Sequence, residues 1–219
     1  MQYTCVLWDL DGTILDSGAG VFDSFRKTFA ALGIPQPTEA TLRTFVGPPL
    51  RTSFQNLMGL SPETTDEALE LYRHFYHSGG ALNAHLYPGV VEVIRQTHEA
   101  GVATSMATSK AITGTKLVAK HFGFIQHFDF LGTADPLENR HSKEDVVAYA
   151  MDGLRKLGAN LDRVLLVGDR IHDIEGARAH GIDVALVEWG YGSEAEWAQA
   201  DYRVATPQQL HRLICGENE

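Results

Sequence analysis

Cysteine is nearly missing from this chain, with two in 219 residues. Cys5 and Cys215 form no metal-type spacing and are expected to stay as thiols, which excludes a disulfide scaffold or a cysteine-rich metal centre. Long hydrophobic runs are also missing. None approaches the roughly 18 residues of a membrane helix, so no membrane association is expected. The opening MQYTCVLWDL has no basic segment followed by an apolar stretch and a small-residue cleavage site, and the expected compartment is the cytoplasm. Positive charge is scarce: 18 Lys and Arg stand against 28 Asp and Glu, a net charge of -10 at pH 7. Nucleic-acid binding rests on phosphate neutralisation by clustered Lys and Arg, so a nucleic acid polymer is not an expected partner. An anionic substrate would have to be met by a local cation. No internal repeat or low-complexity segment is present.

What is present is an alternation. VATSMATS (102–109), FDFLGTAD (128–135), RVLLVGD (163–169) and DVALVEW (183–189) are short, apolar and partly β-branched, and read as strands. Between them, GTKLVAKHFGF sets Leu117, Val118 and Phe122 on one helical face. KEDVVAYAMDGLRKLG does the same with Val146, Val147, Ala150, Met151, Leu154 and Leu157. Strands alternating with helices predict an α/β fold with a doubly wound parallel sheet, whose sites form beyond the C-terminal strand ends. Residues 18–85 differ, being amphipathic and helix-like with no convincing strand, as in VFDSFRKTFAALG and DEALELYRHFYHSG. The expected organisation is a core of 1–17 and 86–219 with a helical subdomain of 18–85, hinged near 16–19 and 83–87. ADYRVATPQQLHRLI predicts a last strand and a closing helix.

The chemistry-bearing residues fall at strand ends. In CVLWDLDGTILDS an apolar strand runs into Asp9 and Asp11, whose side chains leave the same side of a strand, and Gly12 permits a sharp turn just beyond. Close carboxylates repel unless a divalent cation or a retained proton offsets them. One can then attack an electrophile while the other, protonated, serves the leaving group. Two solvated aspartates at a strand end are the plain alternative. VLLVGDRIHDIEGA repeats the pattern with Asp169 and Asp173; Asp173 is either a ligand or an N-cap for a helix beginning at Ile174. An all-oxygen site of Asp9 and Asp169 suits Mg2+ with retained waters. Thr108 and Ser109 end a strand and can offer hydroxyl and N–H groups to an anion. Lys143, at a helix start, or Lys110, next to the hydroxyl pair, can balance the charge.

Taken in order, DLDGT, TSK, Lys143 and GDRIHD closely resemble the four motifs of the haloacid dehalogenase superfamily, over nearly the whole chain. The closer resemblance is to the phosphoglycolate phosphatase-like branch with a small helical cap; GDRIHDIEGARAHGI followed by WGYGS is similar to proteins described as 5'-nucleotidases. The resemblance implies a Mg2+-dependent phosphomonoester hydrolase acting on a small phosphorylated metabolite such as 2-phosphoglycolate, a nucleoside monophosphate or a sugar phosphate. It implies Asp9 as nucleophile, forming an aspartyl-phosphate, and Asp11 as the acid and base. Thr108, Ser109 and Lys143 would hold the phosphoryl group. The Asp9 carboxylate, the Asp11 carbonyl, Asp169 and Asp173, directly or through water, would hold Mg2+. Phosphoryl transfer asks mainly for in-line positioning and charge neutralisation, which such a set supplies.

Other readings and roles remain open. A sugar-phosphate mutase shares the motifs but commonly has valine where this chain has Thr13; a dehalogenase has no use for an acid at position 11; a non-catalytic Mg2+- or phosphate-binding module would share the sheet and the carboxylates. Arg170 stands where many relatives have a small Ser or Thr, and either reaches the substrate or pairs with a neighbouring acid such as Glu175. In FVGPPLRTSF, similar to the family's cap segment near the leaving group, Gly47 and Pro48 shape a loop, and Arg51 either meets a substrate anion or lies on a helix surface. His172 reads as a solvated loop residue, and His74 and His77, three apart, lack a metal-binding partner.

Overall fold

Strand β1 (Cys5–Trp8) sets the plan of the molecule. Its alternation sends Val6 and Trp8 to one face of a sheet and Cys5 and Leu7 to the other, and each pair joins a different buried cluster. A strand apolar on both faces belongs inside a sheet covered on both sides. In this computed structural model, which describes residues 1–47 and 50–216 and of Pro136 the backbone alone, β1 is followed by β2 (Leu15–Asp16) and a helical run. That run comprises α1 (Gly18–Ala31), α2 (Glu39–Arg43), α3 (Leu50–Thr52), which continues as a wider turn over 53–57, and α4 (Pro62–His77).

From β3 (His85–Leu86) the alternation begins: α5 (Val90–Glu99), β4 (Ala103–Ala111), α6 (Ile112–His121), β5 (Phe130–Ala134), α7 (Lys143–Lys156), β6 (Val164–Gly168), α8 (Ile171–Ala179) and β7 (Asp183–Val187). A short α9 (Glu194–Trp197), β8 (Tyr202–Val204) and α10 (Pro207–Cys215) close the chain. The main sheet has six strands in the order β5-β4-β1-β6-β7-β8, every neighbouring pair parallel. The expected α/β doubly wound sheet is therefore what the chain forms, with β1 between β4 and β6 at its centre. Asp9 leaves β1 there, its N–H donating to the Val167 carbonyl at 2.8 Å.

On one face Val6, Trp8, Leu165 and Val167 pack with residues of α5, α6 and α10; on the other Cys5, Leu7 and Leu166 pack with Val146, Val147, Ala150 and Leu154 of α7. Two expectations for these helices fail at single positions. Leu117 of α6 is exposed while Val118 is buried, and Leu157 beyond α7 is exposed at 63%. Leu117 sits mid-helix beside the buried Val118 and Ala119 but on the side turned from the core, and Leu157 lies just past the end of α7. Cys5 is a buried thiol.

β2 and β3 lie antiparallel, Leu15 opposite Leu86 and Asp16 opposite His85, so the chain enters and leaves the helical run side by side. Within that run the rings of Phe25, Phe45, Phe54 and Tyr72 meet at centroid distances of 4.7 to 5.2 Å about Phe25, an aromatic core continuous with one face of the sheet. No described helix is long and apolar enough to cross a membrane.

Candidate active site

The ends of β1, β4 and β6 and the start of α7 bring the acidic motifs together. One oxygen each from Asp9, Asp169 and Asp173 lies within 4.8 Å of the others, and all three residues are buried. This is the one such group of three potential metal ligands among the described residues. Lys143 Nζ lies 2.7 Å from Asp9 Oδ1 and 2.7 Å from Asp173 Oδ1, and donates to the Ala107 carbonyl at 2.8 Å. Two carboxylates, Asp9 and Asp173, thus share one ammonium, and the buried Asp169 lies beside them without it. Burial pushes the Asp9 carboxyl up from its ordinary 3.8 to about 6, with the Lys143 charge opposing and Asp173 and Asp11 adding to the rise. Burial, then Asp173 and Asp9, holds Asp169 well above the usual carboxylate range. Burial alone would lower Lys143, but Asp173 and Asp9 outweigh it and keep its ammonium above the ordinary value.

Local structure explains each placement. The α7 N-terminus is fixed by a capping box in which Ser142 Oγ accepts from the Asp145 N–H and the Asp145 carboxylate accepts from the Ser142 N–H, which seats Lys143 at the first helical position. Asp173 is in the first turn of α8, which begins at Ile171 and not at Ile174 as a cap role for Asp173 requires. Its Oδ2 accepts from the N–H groups of Asp169 at 3.1 Å and Arg170 at 3.0 Å, while Oδ1 faces Lys143. Asp169 Oδ2 accepts from the Tyr191 N–H at 2.7 Å; Oδ1 is buried with no hydrogen-bond partner among the described residues. Gly12, at φ +89°, passes so close that an added Cβ would lie 2.1 Å from Asp169 Oδ2.

Asp11 stands apart from this cluster. Its Oδ2 is 2.8 Å from Lys110 Nζ, and Oδ1 is buried without a hydrogen-bond partner among the described residues. The two lysines weighed for one role therefore serve different carboxylates. Burial works against the Lys110 charge, but Asp11, Tyr76 and Tyr72 outweigh it and raise its value. A cavity of about 490 Å3 opens over Asp9, Asp11, Thr108 and Ser109 and is roofed by Phe45, Gly47, Arg51, Tyr72 and Tyr76 of the helical run. Thr108 is buried, its Oγ1 accepting from the Lys110 N–H at 3.2 Å.

The outer residues divide differently from expectation. Arg170 pairs with Glu196 (Nε to Oε1, 3.0 Å) rather than Glu175, and its Nη1 donates to the Val46 carbonyl at 2.7 Å. Gly47, at φ +104°, packs against its stem: an added Cβ would lie 3.3 Å from Arg170 Cγ. Pro48 lies outside the described residues. Arg51 lines the cavity yet pairs with Asp66 on the surface. His172 is in α8 beside Glu175, 3.1 Å from it, and the rings of His74 and His77 lie against Phe75 and Tyr76, with no metal-binding group formed around them among the described residues. Sequence reasoning noted WGYGS only for its resemblance and gave the loop after β7 no role: Trp189 donates to the Thr13 carbonyl at 3.1 Å, and the Tyr191 hydroxyl accepts from the Gly18 N–H and reaches Asp16 Oδ1 at 2.6 Å. The clustered aromatics and glycines of WGYGS were the available signal.

The family model described as "Haloacid dehalogenase-like hydrolase" matches residues 6–187. Among curated proteins, the tyrosine-protein kinase PtkA of Mycobacterium tuberculosis is 40% identical over 187 residues, covering 85% of this chain, which spans only 62% of that protein's length. A 5'-nucleotidase of Pseudomonas aeruginosa is 32% identical over 196 residues, 90% of this chain and 87% of that protein. Among solved structures, a predicted phosphatase from Clostridium acetobutylicum superposes with a TM-score of 0.90 at 30% identity, over 99% of this chain and 100% of that one. With the match running from β1 through β7, across all four motifs, the chain belongs to the haloacid dehalogenase-like hydrolase family.

Proposed function

We propose that the protein is a Mg2+-dependent phosphomonoester hydrolase of the cytoplasm, acting on a small phosphorylated metabolite through an aspartyl-phosphate on Asp9. The observation that carries this reading is the buried cluster of Asp9, Asp169 and Asp173, balanced by the single ammonium of Lys143 and leaving Asp169 Oδ1 without a partner. Acidic excess in a dry place calls for a hard cation with oxygen ligands. Asp9, Asp169 and Asp173 would hold Mg2+ with the Asp11 backbone carbonyl, and the ion would neutralise charge on the phosphoryl oxygens.

Every other step belongs to the chain. Asp9 attacks phosphorus, and Lys143, which already touches Asp9, draws the equatorial oxygens to it; Thr108 and Ser109 supply hydroxyl and N–H donors. Asp11 gives a proton to the leaving oxygen, then takes one from the water that cleaves the aspartyl-phosphate. Residues 18–85 act as a cap that closes over the cavity, excluding bulk water and, through Gly47 and Arg51, selecting the leaving group. The candidate substrates are 2-phosphoglycolate, a nucleoside monophosphate or a sugar phosphate.

Transfer of the phosphoryl group to a tyrosine hydroxyl instead of water is the second reading, favoured by the 40% identity to a protein named a tyrosine-protein kinase. The test is phosphate release from a panel of phosphomonoesters with and without Mg2+, beside a tyrosine peptide incubated with ATP. Release concentrated on one ester class, lost without Mg2+ and reduced at least about a thousandfold in Asp9→Asn, is the expected outcome. Peptide phosphorylation without ester hydrolysis selects the second reading, and full activity in Asp9→Asn overturns both.

A further inference from the structure

Asp11 is held by a side chain that is itself held by the cap. Lys110 Nζ lies 2.8 Å from Asp11 Oδ2, with the two side chains 11% and 16% exposed. It also donates to the hydroxyl of Tyr76, on α4, at 2.7 Å and sits 4.6 Å from the centre of that ring. Tyr76 is buried and stacks on Tyr72, centroids 5.7 Å apart. The core places Lys110 with equal care. The pairing of β4 with β5 shifts register between Thr108 and Ala111, an irregularity of the kind that re-aims a side chain beside a site. The Lys110 stem runs over Gly114 of α6, where an added Cβ would lie 3.3 Å from Cγ and Cδ. The long side chain is thus fixed along its length and at its tip, so little rotamer freedom remains to be lost when substrate binds.

We propose that Lys110 is the positioning residue of Asp11 and that Tyr76 makes this positioning depend on the seated cap. By occupying Oδ2, Lys110 leaves Oδ1, which has no hydrogen-bond partner among the described residues, as the oxygen that exchanges the proton. The inference rests on the reading of Asp11 as acid and base. As the bond from phosphorus to the leaving oxygen breaks, its electron pair stays on that oxygen and the proton on Oδ1 moves to it. The carboxylate left behind remains paired with the Lys110 ammonium, which neither gives nor takes a proton. In the second half Oδ1 takes a proton from the attacking water, restoring the acid. A cap that lifts away removes the Tyr76 hydroxyl from Lys110 and loosens Asp11, so the acid is set only over an enclosed substrate.

A role in proton delivery is visible in the leaving group, which a purely structural role would leave untouched. An alkyl alcohol departs poorly without a proton, whereas para-nitrophenolate departs unaided, and a general acid is worth about 10²- to 10⁴-fold. The experiment measures kcat and KM of wild type, Lys110→Met and Tyr76→Phe on para-nitrophenyl phosphate and on the alkyl ester most active in the panel, with thermal melts as a check of folding. Lys110→Met is expected to lose at least about tenfold more kcat on the alkyl ester than on the aryl ester, and Tyr76→Phe to show the same bias at about threefold. Equal losses on both esters, or none, in folded protein overturn the assignment while the hydrolase reading stands. If Lys110→Met does not fold, the bias in Tyr76→Phe decides. A wild type that cleaves neither ester overturns the hydrolase reading and this inference with it.

Discussion

The two carboxylates of DLDGT, two residues apart, live in different surroundings. Asp9 is 5% exposed and every partner it has, Lys143 above all, comes from the sheet and its flanking helices. Asp11 answers to Lys110, and Lys110 answers to Tyr76 of α4. The same division runs through the site. Its floor, made of Asp9, Lys143, Asp169 and Asp173, is built from β1, β6, α7 and α8 alone. Its roof is packed on the sheet through the shared aromatic core and, beside the site, reaches the reacting groups through single polar contacts, Lys110 with Tyr76 and Arg170 with the Val46 carbonyl. A floor built inside one packed core is preorganised, while the roof bears on the reacting groups through only a few polar contacts. On the proposed reading the two have different tasks, since phosphoryl transfer depends on fixed charges and substrate exchange on a cover that opens.

The most severe way to break the comparison is to damage the floor from the turn that passes under it. Gly12→Ala places a Cβ where Asp169 Oδ2 now lies, at a φ of +89°. The strained backbone alone costs about 1–3 kcal/mol, and Asp169 must leave its position. Turnover is expected to fall about a hundredfold or more, with Mg2+ affinity falling alongside, while the Lys110–Tyr76 contact stays intact. Activity titrated against Mg2+ checks it; an unchanged Mg2+ dependence would mean that the floor tolerates movement and that the contrast with the roof is false.

Metal addition sharpens the same contrast. Mg2+ binding to the folded state alone stabilises it by about 2.7 kcal/mol at a hundred times Kd, and about 2–4 °C per kcal/mol gives a rise in Tm of about 5–10 °C for a chain of this size. The sign with pH follows from Asp9, whose value is raised from 3.8 to about 6 by burial first. Between those values the metal-free folded state binds more protons than the unfolded chain, so its stability falls as pH rises through that window. Mg2+ needs the ionised carboxylates, so the gap in Tm with and without Mg2+ is expected to widen from pH 4 to pH 7, and to collapse in Asp169→Asn. Melts at matched ionic strength measure it, and a gap independent of pH would contradict the shifted floor.

Much of this floor was legible in the sequence because an apolar stretch that ends in an acid marks the C-terminal mouth of a parallel strand, and β1 and β6 both do so. Lys143 was legible as a residue at a helix start, though the capping box of Ser142 and Asp145 that seats it was not read there. The roof was not. Lys110 reaches Asp11 through a register shift in β4 that no local pattern announces, and Tyr76 reads only as one apolar position on an amphipathic helix. Glu175 is near Arg170 in sequence, but on α8 it turns toward His172, and the true partner, Glu196, comes from α9 beyond the next strand. Contacts across folded distances, between elements that are not neighbours in the chain, leave no periodic trace.

Arg170 gives the mildest test, because it ties the roof without touching the floor's oxygens through its side chain. Its guanidinium joins Glu196 and the Val46 carbonyl, next to Gly47 at the cavity rim. Arg170→Ala removes both ties. Glu196 keeps partners in the N–H groups of Ile171 at 3.0 Å and Ser193 at 2.8 Å, so the core around it should hold. A hydrogen bond from a charged group is worth about 1.5–3 kcal/mol when buried, and less here, where the Arg170 side chain is 14% exposed. The expected result is a rise in KM of about three- to tenfold with kcat within about twofold, since the cap must be held closed by the substrate instead of by Arg170. A fall in kcat at constant KM would instead place Arg170 with the groups that act on the transferring phosphoryl, and would join to the floor a residue that the geometry assigns to the roof.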